Sequence, residues 1–295
     1  MKRFVAVVLL ALAGVASAQS DDEVIRVDSS IVVVNASITD RLGNPAIGLA
    51  RPYFRVFEDG VEQSIDTFSA EETPFAAVVL IDTSGSMESR LSVARSAAIE
   101  FLYGLRRDDN CSVQQFNSKV ELVQEFSNSR DIRERIFDIK AKGMTVLNDA
   151  IFMAAKTLEG RPEKRRAIVV LSDGEDTMSR RSAAKALDAA LAADANIYTV
   201  DMAGLEAGTQ SGRIQNQAAL KRFAEKTGGR FIATPNGIAM RDALRDIVRE
   251  LGGQYTVTYQ SKNPVRDGKW RSIEVRVSKP NLTIRTRKGY NAPKQ

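Results

Sequence analysis

The chain of 295 residues has no histidine and a single cysteine, Cys111. Without histidine there is no Ser-His-Asp or Cys-His catalytic set and no imidazole-held zinc. One thiol builds neither a thiolate metal cage nor an intramolecular disulfide. Cys111 lies in Cys111-Ser112-Val113-Gln114-Gln115-Phe116, which reads as strand interior, so an inert buried thiol is expected there. Low-complexity tracts, internal repeats and nucleic-acid-binding motifs are also missing. After the first residues no apolar run approaches the length of a transmembrane helix.

That first stretch stands apart. Lys2 and Arg3 precede the apolar run Phe4 to Val15, and Ala16-Ser17-Ala18 fits small-residue cleavage, so residues 1–18 are expected to be a secretory signal peptide. The run is short for a membrane span, and no cysteine follows it to carry a bacterial lipoprotein anchor. An exported protein is expected, whether periplasmic, at the cell surface or secreted; an uncleaved anchor is the alternative. The formal net charge is +5, and it is concentrated late: from Ser261 onward ten lysines and arginines face only Asp267 and Glu274. The expectation is the wet side of a sheet, with anionic envelope polymers or lipid head groups as the other possibility.

What is present centres on Ala76-Ala77-Val78-Val79-Leu80-Ile81-Asp82-Thr83-Ser84-Gly85-Ser86-Met87. Six consecutive apolar residues read as a strand buried on both faces, and they end in a carboxylate, two serine hydroxyls and a glycine. Beyond Ser86, Leu91, Ala94, Ala98, Phe101, Leu102 and Leu105 recur at helical steps, with Ser84 or Ser86 near the expected cap. In an open parallel sheet, ligands sit outside the carboxyl ends of the strands. One carboxylate and two hydroxyls are hard oxygen donors that suit magnesium.

Asp82-x-Ser84-x-Ser86 after a buried strand resembles the metal-ion-dependent adhesion site of von Willebrand factor type A domains. Gly143-Met144-Thr145 followed by Asp149-Ala150 resembles that family's threonine loop. Ala167 to Leu171 followed by Ser172-Asp173-Gly174 resembles its second-aspartate loop. The resemblance implies that Asp82, Ser84, Ser86, Thr145 and Asp173 hold Mg2+ (or Mn2+), and that an Asp or Glu carboxylate of a partner protein completes the site. Asp149 is a candidate to orient the threonine loop, or it caps the following helix. The plainer reading is that the serines only cap a helix and Asp173-Gly174 is only a turn.

Strands and helices alternate between about Pro74 and Gly252, as in a doubly wound, mostly parallel α/β fold. The flanks alternate as half-solvated antiparallel strands, at Ile31 to Ile38 and Phe54 to Ile65 on one side and Tyr255 to Ile284 on the other. Asp59-Gly60 marks a hairpin. Both ends are therefore expected to pair into a small antiparallel β domain, giving a β segment over 19–72, an inserted α/β domain over 73–252 and a β segment over 253–295. The flanks, Phe54-x-Val56-x-Glu58-Asp59-Gly60 and Arg287-Lys288-Gly289-Tyr290, also resemble exported acidobacterial-type proteins carrying the same domain. The resemblance implies an adhesion or scaffolding role and no enzyme. Two alternatives stay open: a magnesium-dependent phosphatase using Asp82, weakened because Ser84 stands where such enzymes have a second acid, and a structural envelope module with no metal-mediated partner.

Overall fold

A computed structural model describes residues 31–70, 73–129, 135–203, 209–233 and 237–294. The expected signal peptide lies outside them. In chain order the elements are β1 (Ile31–Thr39), β2 (Phe54–Glu58), β3 (Val61–Gln63), β4 (Ile65–Ser69), β5 (Phe75–Asp82), α1 (Leu91–Gly104), β6 (Asn110–Phe116), β7 (Val120–Ser127), α2 (Arg135–Asp138), α3 (Leu147–Glu159), β8 (Arg165–Ser172), α4 (Ala183–Ala192), β9 (Ala195–Asp201), α5 (Gln210–Thr227), β10 (Phe231–Ala233), α6 (Gly237–Gly252), β11 (Tyr255–Gln260), β12 (Trp270–Val277), β13 (Thr283–Thr286) and β14 (Gly289–Asn291).

The apolar run ending at Asp82 is the centre of a six-stranded sheet ordered β10-β9-β8-β5-β6-β7, parallel except for the edge strand β7. All eight residues of β5 are buried, as a strand covered on both faces requires. Its side chains alternate between two cores. Phe75, Ala77, Val79 and Ile81 pack with α1 and α6, whereas Ala76, Val78 and Leu80 pack with α3, α4 and α5. Cys111 is buried in β6, and burial pushes its thiol well above the ordinary range, in keeping with an inert side chain.

The remaining strands form two four-stranded antiparallel sheets, β13-β1-β11-β4 and β14-β12-β2-β3, and each mixes strands from before and after the α/β domain. Ile31 to Ala36 of β1 pair with Gln260 to Tyr255 of β11, and Phe54 to Glu58 of β2 pair with Val277 to Ile273 of β12. Val34, Val56, Val257 and Val275 share one core between the sheets. At the β2–β3 turn Asp59 and Gly60 have φ of 47° and 80°, the left-handed pair that a tight hairpin turn needs.

Polar contacts join the antiparallel sheets to the base of the α/β domain. Arg165, fully buried, donates to the Gly252 carbonyl at 2.7 Å and to Thr256 Oγ1 at 3.2 Å. Glu250 accepts from Ser37 Oγ at 2.9 Å and Tyr198 OH at 2.7 Å and pairs with Arg285 at 2.5 Å. Arg287 pairs with Asp194 at 2.7 Å. The backbone of Thr286 and Arg287 passes so near Gly228 that a Cβ there would lie 2.4 Å from it. The basic tail divides: Lys262, Lys269, Arg276, Lys279, Lys288 and Lys294 are exposed, as expected of the wet side of a sheet, whereas Arg271, Arg285 and Arg287 pair with Asp267, Glu250 and Asp194.

Two boundaries differ from the sequence reading. The sequence predicts a helix around Gln217 to Glu225; in the structure this helix, α5, begins at Gln210, where Thr209 caps it by accepting from Gly212 N. The helix expected from Ser86 begins at Leu91 after a 3-10 turn over Gly85–Arg90, and neither serine caps it.

Candidate metal centre

β5 delivers Asp82 to the carboxyl edge of the sheet with no exposed surface. One carboxylate oxygen accepts from Ser84 N at 2.9 Å and the other from Ser172 Oγ at 2.6 Å. Burial pushes its pKa up to about 7; bonds from Ser172 and Ser84 oppose the rise and the neighbouring charge of Asp173 adds to it. Asp173, also buried, accepts from Glu175 N at 3.1 Å through Oδ1. Among the described residues neither carboxylate has a lysine or arginine partner. Two buried carboxyl groups are therefore held together with no counter-charge from the protein; burial favours a proton on Asp82, and a divalent cation in its place would let both ionise.

The hydroxyls complete a hard donor set. Because the 3-10 turn leaves Ser84 and Ser86 free of capping, their Oγ atoms face each other at 3.1 Å. Adjacent oxygens of an octahedral magnesium shell lie about 3 Å apart, given metal–oxygen distances of about 2.1 Å. The residues present thus fit the ion. Among the described residues no group of three or more His, Cys, Asp or Glu converges, so a site here depends on hydroxyls.

The threonine loop is stitched to the first loop by two backbone bonds, Gly85 N to Gly143 O at 3.1 Å and Lys142 N to Thr83 O at 2.8 Å. Gly143 has φ of 82°, and a Cβ on it would meet Ser118 Oγ at 2.8 Å. Thr145 is 1% exposed and its carbonyl accepts from Thr177 N and Met178 N. Its hydroxyl makes no hydrogen bond among the described residues, which leaves it available as a ligand. Three separate loops therefore meet at the ends of β5 and β8.

Asp149 reaches across to the loop after Asp173. It accepts from Arg180 N at 3.0 Å and Arg181 N at 3.1 Å, and pairs with the Arg181 guanidinium at 3.1 Å. It holds α3 to the second-aspartate loop, and no side chain caps α3 at its N-cap residue Val146. Ser172 is a residue that sequence reasoning left without a role. It bonds Asp82 and accepts from Gly174 N at 3.0 Å, so it orients both aspartate loops; the only signal was a hydroxyl at the last position of an apolar strand. Beside the site lies a cleft of about 390 Å3 lined by Ser86, Asp173, Glu175, Arg213 and Asn216.

A doubly wound sheet with a hydroxyl-rich acidic site at the carboxyl end of its central strand defines a class of ligand-binding α/β domain. Residues 77–175 match the family model for the von Willebrand factor type A domain, and the chain carries such a domain. It is 29% identical over 108 residues to an uncharacterized protein of Synechocystis, covering 35% of this chain and 26% of that protein. The chain spans about a quarter or less of the length of the curated relatives it matches. The von Willebrand factor type A structure from Catenulispora acidiphila is similar over 92% of this chain and 75% of its own, with a TM-score of 0.52 and 12% identity. The vWF domain of the type V pili tip protein Mfa5 from Porphyromonas gingivalis matches 61% of this chain and 95% of its own, with a TM-score of 0.51 and 12% identity. At these identities the likeness is one of fold. Among the described residues no helix is long and apolar enough to cross a membrane.

Proposed function

We propose that this chain is an exported protein-binding module of adhesion or scaffolding type, in which Asp82, Ser84, Ser86, Thr145 and Asp173 hold a divalent cation and a partner's Asp or Glu carboxylate completes the site. The observation that carries this reading is the pair of buried, uncompensated carboxylates beside two serine hydroxyls 3.1 Å apart. The bound cation would supply an electrophilic, neutralising centre. The protein's own residues do the rest. Ser172 and Ser84 N fix the Asp82 carboxylate, the Gly143 loop positions Thr145, and Asp149 holds the Asp173 loop against α3. No histidine, reactive thiol or second acid two residues after Asp82 is available for turnover, which favours recognition over catalysis. The family match and the pilus-tip neighbour support an interaction role, and the amino-terminal sequence supports export.

The test is calorimetric titration of Mg2+ and Mn2+ into the chain and into its Asp82→Ala and Ser86→Ala variants. Saturable binding by the unaltered chain and its loss in both variants, with folding intact by circular dichroism, is the expected result. Equal binding in all three would remove the site from these residues, and metal-dependent hydrolysis of a phosphate ester would replace recognition with catalysis.

A further inference from the structure

We infer that the face around the cation site has an apolar half, formed by Met144 and Met178, and that the partner is a protein loop carrying an acidic residue beside an apolar one. This inference rests on the metal-dependent binding proposed above. Met144 immediately precedes Thr145, and Met178 N donates to the Thr145 carbonyl at 2.9 Å, so the two methionines flank the threonine loop. They are 50% and 55% exposed. Their backbone is nevertheless well held. Met144 N donates to Ser118 Oγ at 3.1 Å, and Thr177 makes two further bonds to Thr145, from its N–H to the carbonyl and from Thr145 N to its Oγ1, each at 3.0 Å. Two flexible, polarisable apolar side chains thus project from a fixed support, which suits adaptive packing against a partner.

A loop needed only to position Thr145 gains nothing from exposed thioethers, since solvent-facing apolar surface contributes no stability. The adjoining cleft is mostly polar, lined by Ser86, Asp173, Glu175, Arg213 and Asn216. Within the cleft Arg213 is offset by Glu175, so it is the cation that favours an anion, and the methionines favour an apolar neighbour to it. A purely acidic ligand would leave the thioethers wet, and a purely apolar one would leave the cation without its acid.

Short cyclic peptides displayed on phage are to be selected on the full chain in millimolar magnesium and eluted with EDTA. The expected sequences carry Asp or Glu next to Leu, Met, Phe or Tyr. Their synthetic forms should bind the Met144→Gln, Met178→Gln double variant roughly tenfold or more weakly, while its magnesium affinity stays at the wild-type value; either single variant serves if the double one does not fold. Peptides with an acid but no preference at its neighbours, or undiminished binding to the variant, overturn the inference and leave the cation site standing. Magnesium binding without any EDTA-eluted peptide overturns it as well, and absence of magnesium binding overturns both readings. Magnesium-dependent dimerisation in light scattering would seat a second copy on the face and equally end it.

Discussion

A fully buried aspartate stands at each end of strand β5, Asp109 of the loop before β6 at its beginning and Asp82 at its close, and the two are treated in opposite ways. At its beginning Asp109 accepts from Phe75 N at 3.2 Å and pairs with the Arg106 guanidinium at 3.1 Å. At its end Asp82 has only serine donors, and the charge beside it is another carboxylate. The base of the domain follows the first pattern throughout, with Glu250 matched by Arg285 and Asp194 by Arg287. On the loop face Asp149 is still matched by Arg181, but Asp82 and Asp173 follow the second. A buried charge paired within the fold belongs to the architecture, whereas one left without its opposite marks where something from outside is expected.

Substitutions that swap the behaviour of the two ends give the largest effects. Asp109→Ala takes the acceptor from Phe75 N and the carboxylate from Arg106, which keeps its bond to the Thr73 carbonyl, and should lower unfolding free energy by about 3 kcal/mol in urea titrations, with magnesium affinity unchanged in the folded fraction. Asp82→Asn should behave in the reverse sense. Without metal it should match or exceed the wild type by about 1 kcal/mol, because a buried charge has been removed. In saturating magnesium the wild type should gain about 2–3 kcal/mol, or about 5 °C in melting temperature, and the variant nothing. An equal magnesium shift in both proteins would erase the contrast between the ends of β5.

Within the base, Tyr198→Phe removes a single donor to Glu250 and should cost about 1.5 kcal/mol by chemical denaturation. The smallest effect concerns Asp149. Burial raises its pKa, but the Arg180 and Arg181 amides and the Arg181 guanidinium outweigh burial and hold it below the ordinary value of 3.8. Its contribution is therefore fully present above pH 3.8 and fades as pH falls through the lower folded value. Melting curves of wild type and Asp149→Asn should differ by less than about 1 kcal/mol near neutrality and converge in acid. Curves that stay parallel down to low pH would show that the carboxylate's charge is not what holds α3 to the neighbouring loop.

The parts legible in the sequence were those with a local signature. Unbroken apolar runs at Ala76–Ile81 and Ala167–Leu171 announce strands buried on both faces, and alternation at Tyr255, Val257 and Tyr259 announces a strand with two unlike faces, although the polar face, expected to be solvated, is buried, with Thr256 bonded to Arg165. Both lead to a mostly parallel sheet flanked by helices, with antiparallel sheets beside it. The first seven residues of α5 lacked an apolar stripe, so the helix start depended on a threonine cap that periodicity does not register. The serines of the first loop read as ligands, with helix capping as the plainer alternative. Only the intervening 3-10 turn separates those roles, by moving the helix start away from them. The partners of Asp149 lie 31 and 32 residues onward, and the link from Ser172 to Asp82 spans 90; such contacts are made by tertiary packing and leave no trace in local pattern.

Arg165 touches the carbonyls of both Thr73 and Gly252, at 3.5 and 2.7 Å; Thr73 lies just before the first strand of the α/β domain and Gly252 ends its last helix. A single guanidinium thus gathers the chain where it leaves the antiparallel sheets and where it comes back. With its two seams side by side, the domain has the geometry of an interchangeable cassette, and grafting a different one onto the same platform would require re-creating that fastening together with the joints at Glu250–Arg285 and Asp194–Arg287.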